Sequence, residues 1–451
     1  MVREPLNLSS TSLKLDLSNV SALVEAYFER VNIWYACVNP NTWSAYYREA
    51  LSRGFQDGPE SCAVLLILAL GSAALAGSIS YNPPDRESPG LTFFAAAWAL
   101  IPGLMVRNSV ISAQCTILSS AYLFYLVRPL EAWTLLSNTN TRLQLLLGSP
   151  GRIPPYAKEL SDRVYWNSFL FESDLLAELD LPHSGIVQFE EFIDLPHGWE
   201  EDEEGGTNHR NSDSESSTPP PGRDSLWYFL AEINLRRLLN RVSHLIYQKS
   251  HPLTSLLSLD PITSELDFQL TQWYESLPLP VRFPRPDPCT PYAPLRSAIQ
   301  TVLRLRYYAC RTIIFRPYIL AVLENESLLL PSSPIRENCF KCLDASIHQL
   351  QNISEHHAGH LPYLWQGALS MVSQTLLVMG ATMSTGLREL LPCSLTDVEM
   401  IVVGVRDEVV RYKDLAPSLK LSAEILVEAE GRWRLWWGLR EREREREQGE
   451  G

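Results

Sequence analysis

The sequence lacks the common signatures of catalytic and nucleotide-binding sites. It has no G-x-S-x-G nucleophile elbow, no P-loop, no H-E-x-x-H zinc motif and no G-x-G-x-x-G dinucleotide motif. Few segments show the apolar-polar alternation of β-strands, and no repeat of fixed period is present. These absences argue against the enzyme classes that depend on such motifs and against a regular solenoid.

Basic residues are in short supply. The 451 residues include 38 Lys and Arg against 52 Asp and Glu, and the formal net charge is −14. Non-specific nucleic-acid binding depends mainly on neutralising phosphates with Lys and Arg. The balance therefore disfavours a broad nucleic-acid surface, although it leaves room for a small local basic patch.

Cysteines are few and scattered. The eight of them lie mostly within apolar helical patterns, which is typical of a reducing, intracellular environment. The only C-x-x-C is Cys339 to Cys342, and it has no second ligand pair at the spacing of a zinc site. We expect both to be small core residues. The first twenty residues contain no continuous apolar stretch, which argues against a secretory signal.

Two uncharged runs, 62–80 and 109–127, are long enough to be borderline transmembrane helices. Both contain several small or weakly polar residues, and neither has a clear basic flank on one side. We predict that they are buried helices of a large core. A membrane-embedded helical protein is the alternative, and solubility of the expressed protein without detergent would remove it.

Helical periodicity extends over nearly the whole chain, and 45% of the residues are hydrophobic. The sequence therefore predicts an all-α protein with a large multi-helix domain. The predicted helices span 20–36, 62–79, 91–106, 110–127, 130–147, 157–181, 224–247, 264–277, 292–324, 335–353, 362–385, 394–412 and 419–446.

An acidic, Ser-rich and Pro-rich stretch at 200–224 has no large apolar residue, and we predict a disordered linker. The linker separates an N-terminal helical part, 20–199, from a C-terminal helical part, 225–440. Residues 1–19 are expected to be a flexible N-terminus and 441–451 a charged, fraying tail. The sequence leaves open whether the two helical parts are separate domains.

Charged residues on the predicted helices have ordinary interpretations. Arg304 and Arg311 follow Arg296 at helical spacing, so we expect the wet face of an amphipathic helix. Arg316-Pro317 is expected to mark a kink or the end of that helix. Near the C-terminus, three tryptophans are expected to dock the last helix on the core: Trp433, Trp436 and Trp437.

The most informative segment is 163–198. Arg163 and the pair Tyr165-Trp166 begin an amphipathic helix, and Pro182 and Gly185 are expected to stop it. The turn that follows reads Glu178-Leu179-Asp180-Leu181-Pro182-His183-Ser184-Gly185, and an acidic stretch, 190–196, ends in proline. This order resembles the middle homology region of fungal zinc-cluster transcription factors.

The resemblance extends over about 23–385. Further stretches that are similar to the family are 23–38, 64–73, 114–147, 227–237, 270–278 and 303–320, the last with Arg316-Pro317. The resemblance implies an all-α regulatory domain, a role in transcription and a nuclear location. It also implies partners: the transcription machinery or a DNA-binding protein, a homo- or heterodimer, and a small-molecule effector.

One departure from the family concerns its zinc cluster, which has six cysteines. Residues 1–36 contain no cysteine. Either the gene model is truncated or the regulator lacks its own DNA-binding module, so direct DNA contact is in doubt.

The competing interpretation is an all-α metabolic enzyme with a buried apolar cavity. It would need convergent polar residues with shifted pKa values inside that cavity. The acidic residues Asp174, Glu178 and Asp180 are spaced four and two positions apart, which does not converge well on one metal ion. We assign no catalytic residue, metal ligand or cofactor from the sequence.

Overall fold

The computed structural model describes residues 15–82, 87–199, 223–247, 256–285, 297–331, 333–351 and 363–449, together with Leu6, Leu8 and Leu295. In these ranges the chain forms α-helices and short 3-10 helices without a β-strand, which confirms the all-α prediction. The α-helices are α1 (Val20–Arg30), α2 (Asn32–Tyr35), α3 (Trp43–Ser52), α4 (Pro59–Ala76), α5 (Leu91–Met105), α6 (Val110–Tyr125), α7 (Pro129–Leu147), α8 (Lys158–Glu178), α9 (Arg223–Tyr247), α10 (Leu256–Ser276), α11 (Ala298–Glu324), α12 (Pro334–Leu350), α13 (Tyr363–Met383), α14 (Thr385–Arg388), α15 (Leu395–Tyr412) and α16 (Pro417–Gly449).

Several predicted boundaries are wrong. The helix predicted over 20–36 breaks at Val31 into α1 and α2, and Ala36 after it is left-handed with φ of 48°. Helix α10 begins before Pro261 instead of after it. Helix α11 ends at Glu324, as predicted, and continues through Pro317, so Arg316-Pro317 does not end it. Helix α3 has no counterpart in the prediction; of its residues only Ala50 is buried.

The first half of the described chain is organised around α4, which packs against α1, α3, α5 and α6. Two glycines allow the close approaches. A Cβ on Gly71 would collide with the Leu23 carbonyl of α1, and one on Gly90 would collide with the Ala69 carbonyl of α4. Gly90 also has a φ of +79°, which favours glycine.

Helix α4 is the one described helix that is long and apolar enough to cross a membrane by length and composition. Its neighbours bury 72% of its apolar window, and 0% of the surface of Leu65, Leu66 and Ile67 is exposed. The second uncharged run forms α6, a shorter helix that is buried along nearly its whole length. Both runs therefore lie in the core, as the sequence predicts.

The second half of the described chain is also helical. Helix α11 packs against α9, α10, α12 and α13, and α16 packs against α13 and α15. The tryptophans near the C-terminus contribute unequally to this docking: Trp433 is buried, whereas Trp436 and Trp437 are half-buried. Helix α16 extends over the residues 441–449 to Gly449, and the charged tail expected at 441–451 stays a prediction.

The two halves touch directly. Helix α9 packs against both α2 and α8. Trp34 of α2 meets Tyr228 of α9 edge to face, with ring centroids 5.0 Å apart, and Asn240 Nδ2 donates to Ser173 Oγ of α8 at 3.0 Å. The predicted linker lies outside the described residues except at its end, where Arg223 and Asp224 already belong to α9.

Candidate functional site

Arg163 joins its own helix, α8, to two segments that are distant from it in the sequence. Its Nε donates to Glu159 one turn earlier at 2.6 Å, and its Nη1 donates to the Ala36 carbonyl at 2.8 Å. Its Nη2 donates to the His197 carbonyl, and its guanidinium lies 4.1 Å from the centre of the Trp199 ring. Only 2% of Arg163 is exposed. A planar, permanently charged group with several donors is suited to such a junction.

The neighbouring residues of α8 secure the same two segments. Asn167 Nδ2 donates to the Tyr35 carbonyl at 2.7 Å, beside the left-handed Ala36. Trp166 Nε1 donates to the Asp194 carbonyl at 2.9 Å, and Tyr165 OH donates to the Ile186 carbonyl at 3.3 Å. The motif residues Arg163, Tyr165 and Trp166 are therefore buried anchors, and the chain after α8 folds back along that helix.

The turn after α8 is centred on Ser184. Its backbone N–H donates to Glu172 Oε1 at 2.7 Å, and its hydroxyl donates to Glu172 Oε2 at 3.0 Å. Helix α7 contributes Asn140, whose Nδ2 donates to the Ser184 hydroxyl at 3.1 Å, and Gln144, whose Nε2 donates to the Ser184 carbonyl at 2.8 Å. Each polar group of Ser184 is thus used to fix the turn against α7 and α8.

The helix-stop residues lie where the chain reverses. Helix α8 ends at Glu178, three residues before the predicted end at Leu181, because Leu179 adopts an extended conformation. Pro182 is exposed and Leu181 is half-buried. Gly185 has a φ of +89°, a conformation that L side chains rarely adopt, although a Cβ there would make only ordinary van der Waals contacts. The glycine in the motif is therefore a requirement of the backbone.

The acidic segment after the turn is paired with basic side chains. Lys158 at the start of α8 contacts Asp162 at 2.5 Å and Asp194 at 3.1 Å. Glu190 contacts Arg237 of α9 at 2.5 Å. These ion pairs connect the folded-back segment to both α8 and the second half of the chain.

A network of buried charges joins α8, α9 and α11. Both carboxylate oxygens of Asp174 lie 3.2 Å from the Arg306 guanidinium, and Asp174 also pairs with Arg236. Arg306 Nε lies 3.0 Å from Glu232 of α9. Burial lowers the pKa of Arg236 well below its usual range, and the adjacent Arg306 lowers it further. The Asp174 carboxylate beside it favours the charged form of Arg236.

The arginines of α11 do not form the solvent-exposed face that was expected from the sequence. Arg304 is 2% exposed, so it belongs to the interior. Arg311 is only partly exposed and contacts Asp267 of α10 at 3.4 Å and Asp344 of α12 at 3.8 Å. The third member of the stripe, Arg296, lies outside the described residues. The arginines face neighbouring helices because α11 is surrounded by α9, α10, α12 and α13.

The two later motif residues are distant from Arg163. Pro317 is buried within α11, and the Arg316 guanidinium lies 5.0 Å from the centre of the Tyr247 ring. Arg316 also acts on Glu178: burial raises the pKa of the Glu178 carboxyl to about 7, and the charge of Arg316 opposes that rise. The structure thus brings Arg316 towards the end of α8, whereas Arg163 lies near its start.

A cleft of about 560 Å³ opens between the end of α4, the start of α5 and the end of α6, and it was not identified from the sequence. Its lining includes Tyr81, Glu87, Thr92 and Tyr125. The Tyr125 hydroxyl is buried and has no hydrogen-bond partner among the described residues. Burial raises the pKa of Tyr125 to about 12, so the phenol keeps its proton at neutral pH. The lining of the cleft thus includes a protonated hydroxyl and the carboxyl group of Glu87.

The C-x-x-C pair lies in the core, as predicted. Cys339 and Cys342 of α12 are both fully buried, and Cys342 Sγ donates to the Thr312 carbonyl at 3.6 Å. Burial raises the pKa of the Cys339 thiol to about 12. Among the described residues, no group of three His, Cys, Asp or Glu side chains is placed to hold a metal ion.

One curated protein to which the chain is similar is "Putative transcription factor ecdB" of Aspergillus rugulosus. The two are 23% identical over 396 residues, which cover 80% of this chain and 63% of that protein. The chain therefore spans less than two thirds of the length of this relative. No protein-family model and no solved structure matches the chain. The similarity supports a role in transcription regulation.

Proposed function

We propose that the chain is the helical regulatory region of a fungal transcription regulator of the zinc-cluster type, and that it acts in the nucleus. Two independent observations support the proposal. The segment 163–198 resembles the middle homology region of that family, and the relative named as a transcription factor is similar over most of this chain. An enzymatic role has no comparable support.

The observation that carries the proposal is the way the motif segment is built into the fold. Arg163, Trp166 and Ser184 are all used to fix the turn and the acidic stretch against α7 and α8. The same helix contributes Asp174 to the buried charges shared with α9 and α11. An arrangement of this kind suits a region that relays a signal between two halves, since both halves depend on one helix.

A reporter assay tests the proposal. The complete chain is fused to a heterologous DNA-binding domain in a fungal host that carries a reporter gene with the matching operator. We expect reporter transcription to differ from that with the DNA-binding domain alone, in either direction. An unchanged reporter, with the fusion shown to be folded, nuclear and abundant, contradicts the proposal.

A matched pair of variants links the effect to the structure. Asp174→Asn removes the carboxylate shared by Arg236 and Arg306, whereas Asp407→Asn removes one whose side chain is 63% exposed. At equal amounts of folded fusion protein, we expect the first variant to alter the reporter response and the second to leave it unchanged. Equal reporter responses from the two variants would show that the charge network has no part in regulation.

We propose that DNA contact requires a partner or a separate DNA-binding module. The net charge of −14 is unfavourable for binding a polyanion. In a gel-shift experiment at physiological salt, the purified chain alone is expected to leave duplex DNA unbound. Sequence-specific binding by this chain alone would contradict this part of the proposal.

The cleft beside Tyr125 is our proposed place for a small-molecule effector. A ligand that accepts a hydrogen bond would satisfy the buried Tyr125 hydroxyl, which costs free energy when it has no partner. The test compares the reporter response to nutrient changes in wild type and Tyr125→Phe. We expect the variant to keep basal output and to lose the response, and an undiminished response would contradict this placement.

A further inference from the structure

One face of the C-terminal helix α16 leaves an apolar stripe in solvent. Its exposed apolar members are Leu421 (58%), Ile425 (44%), Leu435 (68%) and Leu439 (55%). Glu428 and Arg432 continue the stripe between them, and both side chains are exposed. The spacing along all six positions alternates four, three, four, three and four, which is the a/d repeat of a coiled coil.

The opposite face of α16 is fixed on the core, so the stripe is not free to turn inward. Trp433 Nε1 donates to Thr382 Oγ1 of α13 at 2.7 Å. Glu430 accepts two hydrogen bonds from Arg406 Nη1 of α15, at 2.9 and 3.0 Å. Leu426, one turn before Glu430, is fully buried. The stripe therefore faces outward because of the way α16 is docked.

The stripe has a mirror order about position 430. Leu421 and Leu439 lie equally far from that position on either side, and so do Ile425 and Leu435. The central pair, Glu428 and Arg432, carries opposite charges at equal distances. In two antiparallel helices, positions equally far from the crossing point lie at the same height. The order is thus self-complementary in apolar contacts and in charge, as an isologous interface requires.

We propose that a second copy of this chain docks on the stripe, with the two α16 helices antiparallel and a two-fold axis beside position 430. Leu421 then packs against the partner subunit's Leu439, and Ile425 packs against the partner subunit's Leu435. Glu428 faces the partner subunit's Arg432. The two-fold axis generates a second, equivalent ion pair. Every layer combines an a position with a d position, which is the register of an antiparallel coiled coil.

The glycine at position 431 also supports a second copy of this chain as the docking partner. Glycine is unfavourable in a helix interior, and nothing lies within 4 Å of the place where a Cβ would stand on Gly431. The fold of one chain therefore gives no reason for a glycine there. Next to the proposed axis, a missing side chain allows two helix backbones to approach closely. A partner of unrelated sequence would need neither this glycine nor the mirror order.

The proposed contact is short, so we expect weak association. The stripe from 421 to 439 is about 27 Å long at 1.5 Å per residue. A single pair of helices of that length buries less than the roughly 1,200 Å² typical of stable complexes. The dimer should therefore depend on protein concentration.

Sedimentation equilibrium of the complete chain, from about 1 to 100 µM, tests the dimer. We expect reversible dimerisation that Leu435→Glu weakens about 100-fold or more, because the substitution enters the dimer twice. Val427→Glu is the matched control, since Val427 is 47% exposed on the same helix but off the stripe. A chain that stays monomeric throughout, or equal effects of both variants, overturns the proposal.

A charge swap tests the central layer without an apolar substitution. Glu428→Lys alone and Arg432→Glu alone each place like charges opposite each other in the antiparallel pair. The double variant restores opposite charges both within the helix and across the axis. We expect the single variants to weaken dimerisation and the double variant to recover it. A double variant as weak as the single ones overturns the proposed register.

Cross-linking distinguishes antiparallel from parallel pairing. Chains with Leu421→Cys and chains with Leu439→Cys are mixed and treated with a short bifunctional maleimide, with wild type as the control for native cysteines. Antiparallel pairing predicts cross-links between the two variants. Cross-links within each variant alone would show parallel pairing and overturn the proposal.

Discussion

Asp174 of α8 and Arg306 of α11 form a two-pronged ion pair although 132 positions separate them in the sequence. Each carboxylate oxygen lies 3.2 Å from one of the terminal guanidinium nitrogens. Arg236 of α9 uses the same carboxylate, so one acidic side chain serves two buried cations. The pair connects the helix that carries the motif residues to the second half of the chain.

Replacing Asp174 is expected to destabilise the protein strongly. Asp174→Asn keeps the shape of the side chain but leaves Arg236 and Arg306 buried without their shared carboxylate. Breaking one side of a buried ion pair costs about 3 kcal/mol or more. Chemical denaturation should show this loss in the free energy of unfolding.

The control for this prediction is Asp407→Asn. Asp407 pairs with Arg406 at 2.9 Å, but its side chain is 63% exposed, so we expect a change below about 1 kcal/mol. A double-mutant cycle of Asp174→Asn with Arg306→Gln should then reveal coupling of about 1 kcal/mol or more. Additive losses would show that the two residues do not stabilise each other.

The sequence could predict the helices but not this network. Apolar residues recur at helical spacing, which is local information, and the motif residues Arg163 and Trp166 fall on α8 as expected. The burial of Arg304 depends on helices packed around α11 from distant parts of the chain. A periodic pattern assigns such arginines to the wet face because it carries no information on tertiary neighbours. The cleft beside Tyr125 was missed for the same reason.

The end of α8 shows a second limit of sequence patterns. Pro182 and Gly185 correctly indicate that the helix stops, but it stops at Glu178. Ser184 bonds through its backbone and its hydroxyl to Glu172, which draws the chain back along the helix. That contact is tertiary in character even though the two residues are only twelve positions apart. Local stop signals predict the region in which a helix ends, whereas side-chain contacts determine the residue at which it ends.

Gly185→Ala should cost about 1 kcal/mol through the backbone alone. The φ of Gly185 is +89°, which disfavours any residue with a Cβ, whereas the nearest atom to that Cβ would be 3.7 Å away. Gly198→Ala is the control, because Gly198 has open space and no left-handed φ. Thermal unfolding should show a lower midpoint for the first variant only. An equal midpoint would mean that the turn relaxes without cost.

The stability contribution of Glu178 should change with pH. Its carboxyl has a pKa near 7 in the folded protein, against 4.5 for an unperturbed glutamate, because burial disfavours the charged form. The folded state therefore holds this proton more tightly than the unfolded state. As pH rises from about 4.5 to about 7, the unfolded state ionises first and Glu178 increasingly destabilises the fold.

Glu178→Gln accordingly should raise the unfolding midpoint more at pH 8 than at pH 5. Glu178 is exposed at the protein surface, so solvent screens the effect and we expect only a modest difference. Glu191→Gln, at an exposed position beyond the turn, controls for the loss of one negative charge from an acidic protein. A Glu178→Gln effect that is the same at both pH values would contradict the raised pKa.

Thiol labelling should report how deeply the cysteines are buried. Cys37, Cys310 and Cys342 are completely buried, and burial raises the pKa of Cys37 and of Cys310 to about 12. The reactive species is the thiolate, so these groups should resist a maleimide at pH 7.5 in the folded protein. Cys393 is half-buried, and it should be labelled first among the described cysteines.

The measurement uses a Cys289→Ser background, since Cys289 lies outside the described residues, and mass spectrometry locates the label. Labelling of Cys37 or Cys342 as fast as Cys393 would contradict the packing around α2 and α12.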